Sequence, residues 1–169
     1  MAEKQGRLWA LDEEAHGEPG SDPALPDRIR RLLAEQPYAV LSTQGGGQPY
    51  ASLVAFAVSP DLAASVFATP RNTREFRLLS ECDHVALLVD NRCDHPQTMM
   101  EVEAVTATGR AAQVAAGPEC ERCAGLLLIK HPHLAPFVRS PSVALFRIDI
   151  VRYFHVVRFQ EVTQWRPGG

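Results

Sequence analysis

Phe67-Ala-Thr-Pro-Arg-Asn-Thr-Arg-Glu-Phe-Arg77 decides how this chain is read. Ser65-Val-Phe-Ala-Thr69 carries the β-branched and apolar residues of a half-buried strand. Pro70 supplies a turn, Asn72 a helix-starting cap, and a helix is expected from about Thr73 to Cys82. Thr69, Arg71, Thr73 and Arg74 thus place two hydroxyls and two guanidiniums around a helix N-terminus. Free backbone N–H groups and the helix dipole already favour an anion there. The stretch predicts a phosphate site.

The flanking sequence is mostly strand. Leu25, Ile29, Leu32 and Leu33 lie at helical spacing between Pro26, suited to the first helical turn, and Pro37, which ends the helix. Tyr38–Thr43 and Pro49–Val58 read as two strands joined at Gly45-Gly-Gly47. No Gly-Lys-Ser/Thr follows those glycines, so they mark a hairpin turn rather than a phosphate loop. His84–Asp90 reads as a strand covered on both faces. Val102–Val114 is a long strand with a bulge or close approach at Gly109. Gly117-Pro118 opens a helix with its apolar stripe at 120, 123, 124, 127 and 128, and Lys130–Val138 is a short irregular or helical piece. Ser142–Ile150 and Tyr153–Gln164 are expected as two further strands. Short strands with three helices between them predict a small, mainly β, antiparallel barrel with helices packed outside.

Residues 1–24, polar and rich in Gly and Pro apart from Trp9 and Leu11, are expected to form a mobile arm, leaving one domain over 25–169. A net charge of −3 leaves no basic footprint for nucleic acid or an anionic membrane surface. No run of about 18 apolar residues predicts a membrane span. The first residues lack the apolar core of a signal peptide, and four cysteines are too few for a disulfide scaffold. Both observations point to the cytoplasm.

The order of the motifs resembles the FMN-binding split-barrel proteins of the pyridoxamine 5'-phosphate oxidase-like family. The residues that carry the likeness are Phe67-Ala-Thr69, Thr73-Arg-Glu75, Val85–Asp90 with Asn91-Arg92, and Ala104-Val-Thr-Ala107 with Gly109. Lys130–His133, Phe137–Pro141 and Arg158–Val162 extend it, so that it spans roughly residues 26–165. The resemblance implies a six-stranded antiparallel split barrel that pairs into a homodimer, with FMN in a groove between subunits and a small-molecule redox substrate of unknown identity. It places Tyr50, Ala51, Ser52, Leu53 and Val54 along the isoalloxazine. Thr69, Thr73 and Arg74 fall at the phosphate with Arg71 as a further contact, Ala68 is a further cofactor-binding position, and Trp165 approaches the flavin from the second subunit. It names no catalytic acid or base and no metal.

One position departs from the family pattern. Its Lys after Ser/Thr-Arg is Glu75 here, and its Asn three residues on is Leu78. A carboxylate beside a phosphate dianion is repulsive. Asn72 and Glu75 have capping-box spacing, which would fold Glu75 back onto the helix start. Two alternatives therefore stand beside an FMN oxidoreductase. One is a deazaflavin-dependent reductase on the same fold, with Arg71, Arg74 and Arg77 in a longer basic groove. The other is a split-barrel binding module that has lost its flavin. Cys120-Glu-Arg-Cys123 has redox or zinc spacing, but both cysteines fall on an apolar helical stripe, which favours packing. His131 and His133 read as helix-end residues.

Overall fold

Gly46 and Gly47 adopt φ of 57° and 80°, which side chains disfavour and which matches the right-handed twist of a two-residue hairpin. They join β1 (Tyr38–Gly45) to β2 (Gln48–Val58) in the register Gly45↔Gln48 through Tyr38↔Ala55. The computed structural model describes residues 23–158 and 160–168. Of the segment expected as an arm, residues 1–22, with Trp9 and Leu11, lie outside that range.

Five more strands follow: β3 (Ala64–Pro70), β4 (His84–Asp90), β5 (Ala104–Gln113), β6 (Val143–Val157) and β7 (Glu161–Trp165). The sheet order is β3-β2-β1-β4-β5-β6-β7, every pairing antiparallel, and β3 also pairs with β6. That last pairing closes six strands into a barrel and leaves β7 as an extra strand on the far half of β6. Among the described residues four α-helices accompany it: α1 (Leu25–Glu35), α2 (Arg74–Glu81), α3 (Pro118–Lys130) and the single turn α4 (Ala135–Val138). Among the described residues no helix is long and apolar enough to cross a membrane.

β6 is one 15-residue strand where two were expected, with a break at 151–152. The β5–β6 ladder runs through that point on a bulge: Arg152 pairs with Thr108 and Ile150 with Gly109. Val151 is thus the extra, exposed residue, and the buried positions shift from Ile148 and Ile150 to Tyr153 and His155. The chain turns at Arg158 instead, which takes a left-handed φ of 49°. The bulge predicted at Gly109 is present: the β5–β6 register shifts between Thr108 and Gly109. β4 is less covered than its sequence suggests. Val85, Leu87 and Val89 are buried, while the residues between them are half-buried on the outer face.

The barrel interior holds Leu41, Phe56, Phe67, Leu87, Val105, Phe146, Ile148 and Tyr153. α1 adds its predicted stripe, Leu25, Ile29, Leu32 and Leu33, all buried. Burial of that size is worth about 1.5–3 kcal/mol for each such side chain. α3 and α4 pack outside on Ala57, Val66 and Leu145 through Cys123, Leu127 and Val138. One lysine ties these layers together. Lys130 Nζ donates to Leu33 O at 2.6 Å and Gln36 O at 2.7 Å, satisfying carbonyls at the end of α1 that have no helical partner. It also sits 3.8 Å over the ring of Phe56, and burial pushes its pKa down to about 8.

Tyr153 is fully buried and donates its hydroxyl to Leu62 O at 2.8 Å, holding a residue whose φ is 61°. Tyr153→Phe leaves that buried carbonyl without its donor. The expected loss of stability is about 1–3 kcal/mol, read as a lower midpoint in urea unfolding at unchanged slope.

Candidate functional site

The predicted phosphate stretch folds as strand, turn and helix, but its cap is one residue later than expected. Pro70 O accepts the Thr73 N–H at 3.2 Å, closing a turn with Arg71 and Asn72 as its middle residues. Thr73 then stands at the N-cap in extended geometry, and its Oγ1 accepts the Phe76 N–H at 3.3 Å. Asn72 is exposed. The hydroxyl of Thr73 also donates to Pro70 O at 2.9 Å.

Glu75 does not reach back as a capping-box partner of Asn72. Its Oε1 accepts the hydroxyl proton of Thr69 at 2.8 Å. Thr69 is 1% exposed, and its Oγ1 lies 2.9 Å from Thr73 Oγ1. The two hydroxyls hold two protons, which are shared among Glu75, Pro70 O and each other. A carboxylate thus occupies the place expected for the ligand's anion. Leu78, at the family's Asn position, lies against the β1–β2 turn, where a Cβ on Gly45 would meet it at 2.4 Å.

Arginines flank the turn. The Arg74 guanidinium is 5.0 Å from the centroid of the Tyr50 ring, which brings the start of β2 to the start of α2. Arg71 lies 5.9 Å from the Phe76 ring and donates through Nε to Pro141 O at 3.4 Å. Both side chains belong to exposed residues, so their cationic heads remain open to a ligand.

The barrel is split beside them. β2 pairs with β1 over its length from Gln48 to Ala55, but with β3 only through Phe56–Val58. The other flank of Tyr50–Val54 has no strand partner among the described residues. Along this segment Tyr50, Ser52 and Val54 share one face, while Ala51 and Leu53 share the other. Ser52 Oγ is buried without a hydrogen-bond partner among the described residues. Ala68 faces the outer cluster under α3, so its part in the site is limited to its main chain. Trp165 stands apart on β7, where it packs on Tyr153 of the same chain at 5.8 Å between centroids.

The other candidates of the sequence resolve into structure. Cys123 is buried and its thiol is pushed up, first by that burial and then by Glu119, which keeps it protonated and unreactive. His131 is buried with Nε2 at 3.0 Å from Phe56 O, so the ring donates there, and burial lowers its pKa.

The family model for pyridoxamine 5'-phosphate oxidase matches residues 25–157. The chain belongs to the pyridoxamine 5'-phosphate oxidase family. No protein of curated function matches its sequence. Solved structures share its split barrel at low identity. A heme binding protein from Mycobacterium smegmatis aligns with a TM-score of 0.76 at 15% identity, over 88% of this chain and 60% of that one. The present chain therefore spans less than two thirds of that protein's length. HutZ, the heme storage protein from Vibrio cholerae, aligns at 0.66 and 15% identity over 75% and 89% of the two chains. A FAD-binding protein from Mesorhizobium loti aligns at 0.58 and 17% over 73% and 87%.

The residues along the open flank of β2 fit the ring half of a flavin. The open flank of β2 and the orphaned Ser52 hydroxyl are the donors and acceptors that a flavin's polar edge requires. At the phosphate end the hydroxyl of Thr73, Arg71, Arg74 and the N-terminus of α2 fit, and Glu75 opposes them. The Thr69–Glu75 bond is not signalled by the sequence, because a six-residue separation across a turn matches no helical or strand period.

Proposed function

We propose that this protein is a flavin-dependent oxidoreductase that takes FMN between the open flank of β2 and the start of α2. The observation that carries the reading is the split itself. The open flank of Tyr50–Val54 begins at Tyr50, over whose ring lies Arg74 from the helix N-terminus that also carries the Thr69 and Thr73 hydroxyls and Arg71. FMN, when bound, supplies the electron transfer to a small-molecule substrate. The chain's own residues bind and orient: β2 offers backbone groups to the ring, Thr73, Arg71 and Arg74 face the phosphate, and the Thr69 hydroxyl joins them when Glu75 releases it. Arg74 suits this because its fork can bond two phosphate oxygens in parallel.

The same reading makes the protein a homodimer. On the outer face of the sheet, Leu53, Val40, Leu88 and Thr106 stand side by side in register, and Leu53 is 70% exposed. A second copy covering that row, and bringing its Trp165 towards the flavin, accounts for such an apolar outer face. All four cysteines are free thiols, which suits a reducing cytoplasm.

Absorption of the purified protein in the flavin bands, followed by fluorescence titration with FMN and with a deazaflavin, tests the proposal. Tight FMN uptake supports it, and preference for the deazaflavin replaces the cofactor. Arg74→Ala is expected to weaken FMN binding by about 1.5–3 kcal/mol, the value of a hydrogen bond to a charged group. A second reading, a binding module without flavin, is favoured by the Thr69–Glu75 bond. A colourless protein that takes up neither cofactor would establish it.

A further inference from the structure

The link between α2 and β4 brings three kinds of metal-binding atom together at consecutive positions. A sulfur of Cys82, a carboxylate oxygen of Asp83 and a ring nitrogen of His84 all lie within 4.8 Å of one another. His84 Nδ1 is 3.8 Å from Cys82 Sγ and 3.1 Å from Asp83 Oδ1. Both neighbours thus meet the same nitrogen. A Cys–His–Asp proton relay is excluded by that geometry, because the nucleophile and the carboxylate must contact opposite ring nitrogens.

We propose that Cys82, Asp83 and His84 form a three-ligand site for a divalent transition-metal ion of the zinc class. Zinc sits about 2.3 Å from thiolate sulfur and about 2.0–2.1 Å from imidazole nitrogen or carboxylate oxygen. At a tetrahedral angle those bonds put sulfur and nitrogen about 3.6 Å apart, and nitrogen and oxygen about 3.3 Å apart. Both observed spacings lie within about 0.3 Å of these values, and the sulfur and the carboxylate oxygen lie within 4.8 Å of each other. A thiolate with imidazole selects zinc-like ions over magnesium or calcium, which prefer all-oxygen sites.

The scaffold supports the site from both sides. The Cys82 N–H bonds to Leu78 O at 2.9 Å, and Asp83 O accepts the Ala111 N–H at 2.7 Å. His84 opens β4 opposite Arg110. Arg110 holds Asp83 Oδ2 at 3.0 Å, which orients the carboxylate and leaves Oδ1 towards His84. The Asp83 side chain is 45% exposed and that of His84 is 23% exposed, so water reaches the fourth position. This cluster lies beyond the last turn of α2, whereas the Thr69–Glu75 pair lies at its first. Its occupancy is therefore separable from flavin binding.

Cobalt is the probe. The reduced, chelator-treated protein is titrated with Co²⁺ while absorption is followed for the thiolate-to-cobalt charge-transfer band and the visible bands of a four-coordinate ion. One equivalent is expected to bind and to be displaced by Zn²⁺. Cys82→Ser and His84→Ala each abolish the charge-transfer band or the visible bands, and Asp83→Asn weakens the ion about tenfold or more. Cys120→Ser/Cys123→Ser leaves both intact. Far-UV circular dichroism verifies that each variant is folded, and Cys82→Ala serves if Cys82→Ser is not. Absence of the band in the unmodified protein overturns the proposal. So does a band that survives loss of the Cys82 thiol or that disappears with the α3 cysteines.

Discussion

Glu75→Lys is expected to tighten FMN binding roughly 10- to 100-fold, the equivalent of one charge-assisted hydrogen bond. Two effects act in the same direction. The substitution removes the carboxylate that holds the Thr69 proton at 2.8 Å, freeing that hydroxyl for phosphate. It also replaces repulsion of a dianion by attraction. Glu75→Gln separates the two contributions, since it can still accept from Thr69 but carries no charge; an intermediate affinity is expected. A small cost comes with the lysine, because an acidic residue in the first turn of α2 favours the helix dipole by about 0.3–1 kcal/mol. The gain in binding exceeds that cost. Isothermal titration with FMN reads the affinities, and thermal unfolding without ligand reads the cost. Equal FMN affinity in all three proteins would move the phosphate away from this turn.

Gly109→Ala is expected to lower stability by about 3 kcal/mol, at the upper end for overpacking a filled site. A Cβ at that position would lie 2.3 Å from Asp149 O and 2.9 Å from Ile148 Cγ2. Neither obstacle is a loose side-chain tip. Asp149 and Ile148 belong to the half of β6 that is paired with β3 on one flank and β5 on the other, so the strand cannot step aside without breaking the barrel's closure. Gly125→Ala gives the contrast. It lies inside α3 with nothing within 4 Å of the new methyl, and alanine favours a helix over glycine by about 0.8–1 kcal/mol. Urea unfolding should move the two midpoints in opposite directions. A neutral Gly109→Ala would mean that the bulge can relocate.

These two residues also mark what a sequence makes visible. Gly109 could be read because an isolated glycine in a strand pattern has few other reasons to be there. The α1 stripe could be read because four leucine or isoleucine side chains at helical spacing have one physical use. Each inference is local, and local periodicity survives folding. The bond between Thr69 and Glu75 is of another kind. It depends on Pro70 O closing a turn at Thr73, which moves the cap off Asn72 and swings the first turn of α2 until Glu75 meets the strand it follows. The continuity of β6 was hidden for a similar reason. Its two halves have different neighbours, β3 then β7, and composition alone divided them. Cys82, Asp83 and His84 are adjacent in the chain, yet their convergence depends on the end of one helix and the start of one strand.

The sequence has two lysines, Lys4 and Lys130, among 17 basic residues. Lys130 holds the end of α1 with its ammonium and lies on the Phe56 ring. A lysine-specific protease therefore has one target among the described residues, and that target is held by the end of α1 and by the Phe56 ring of β2. Cleavage after Lys130 requires α1 and α3 to separate, so the rate of that single cut is a clock for the opening of this corner of the barrel.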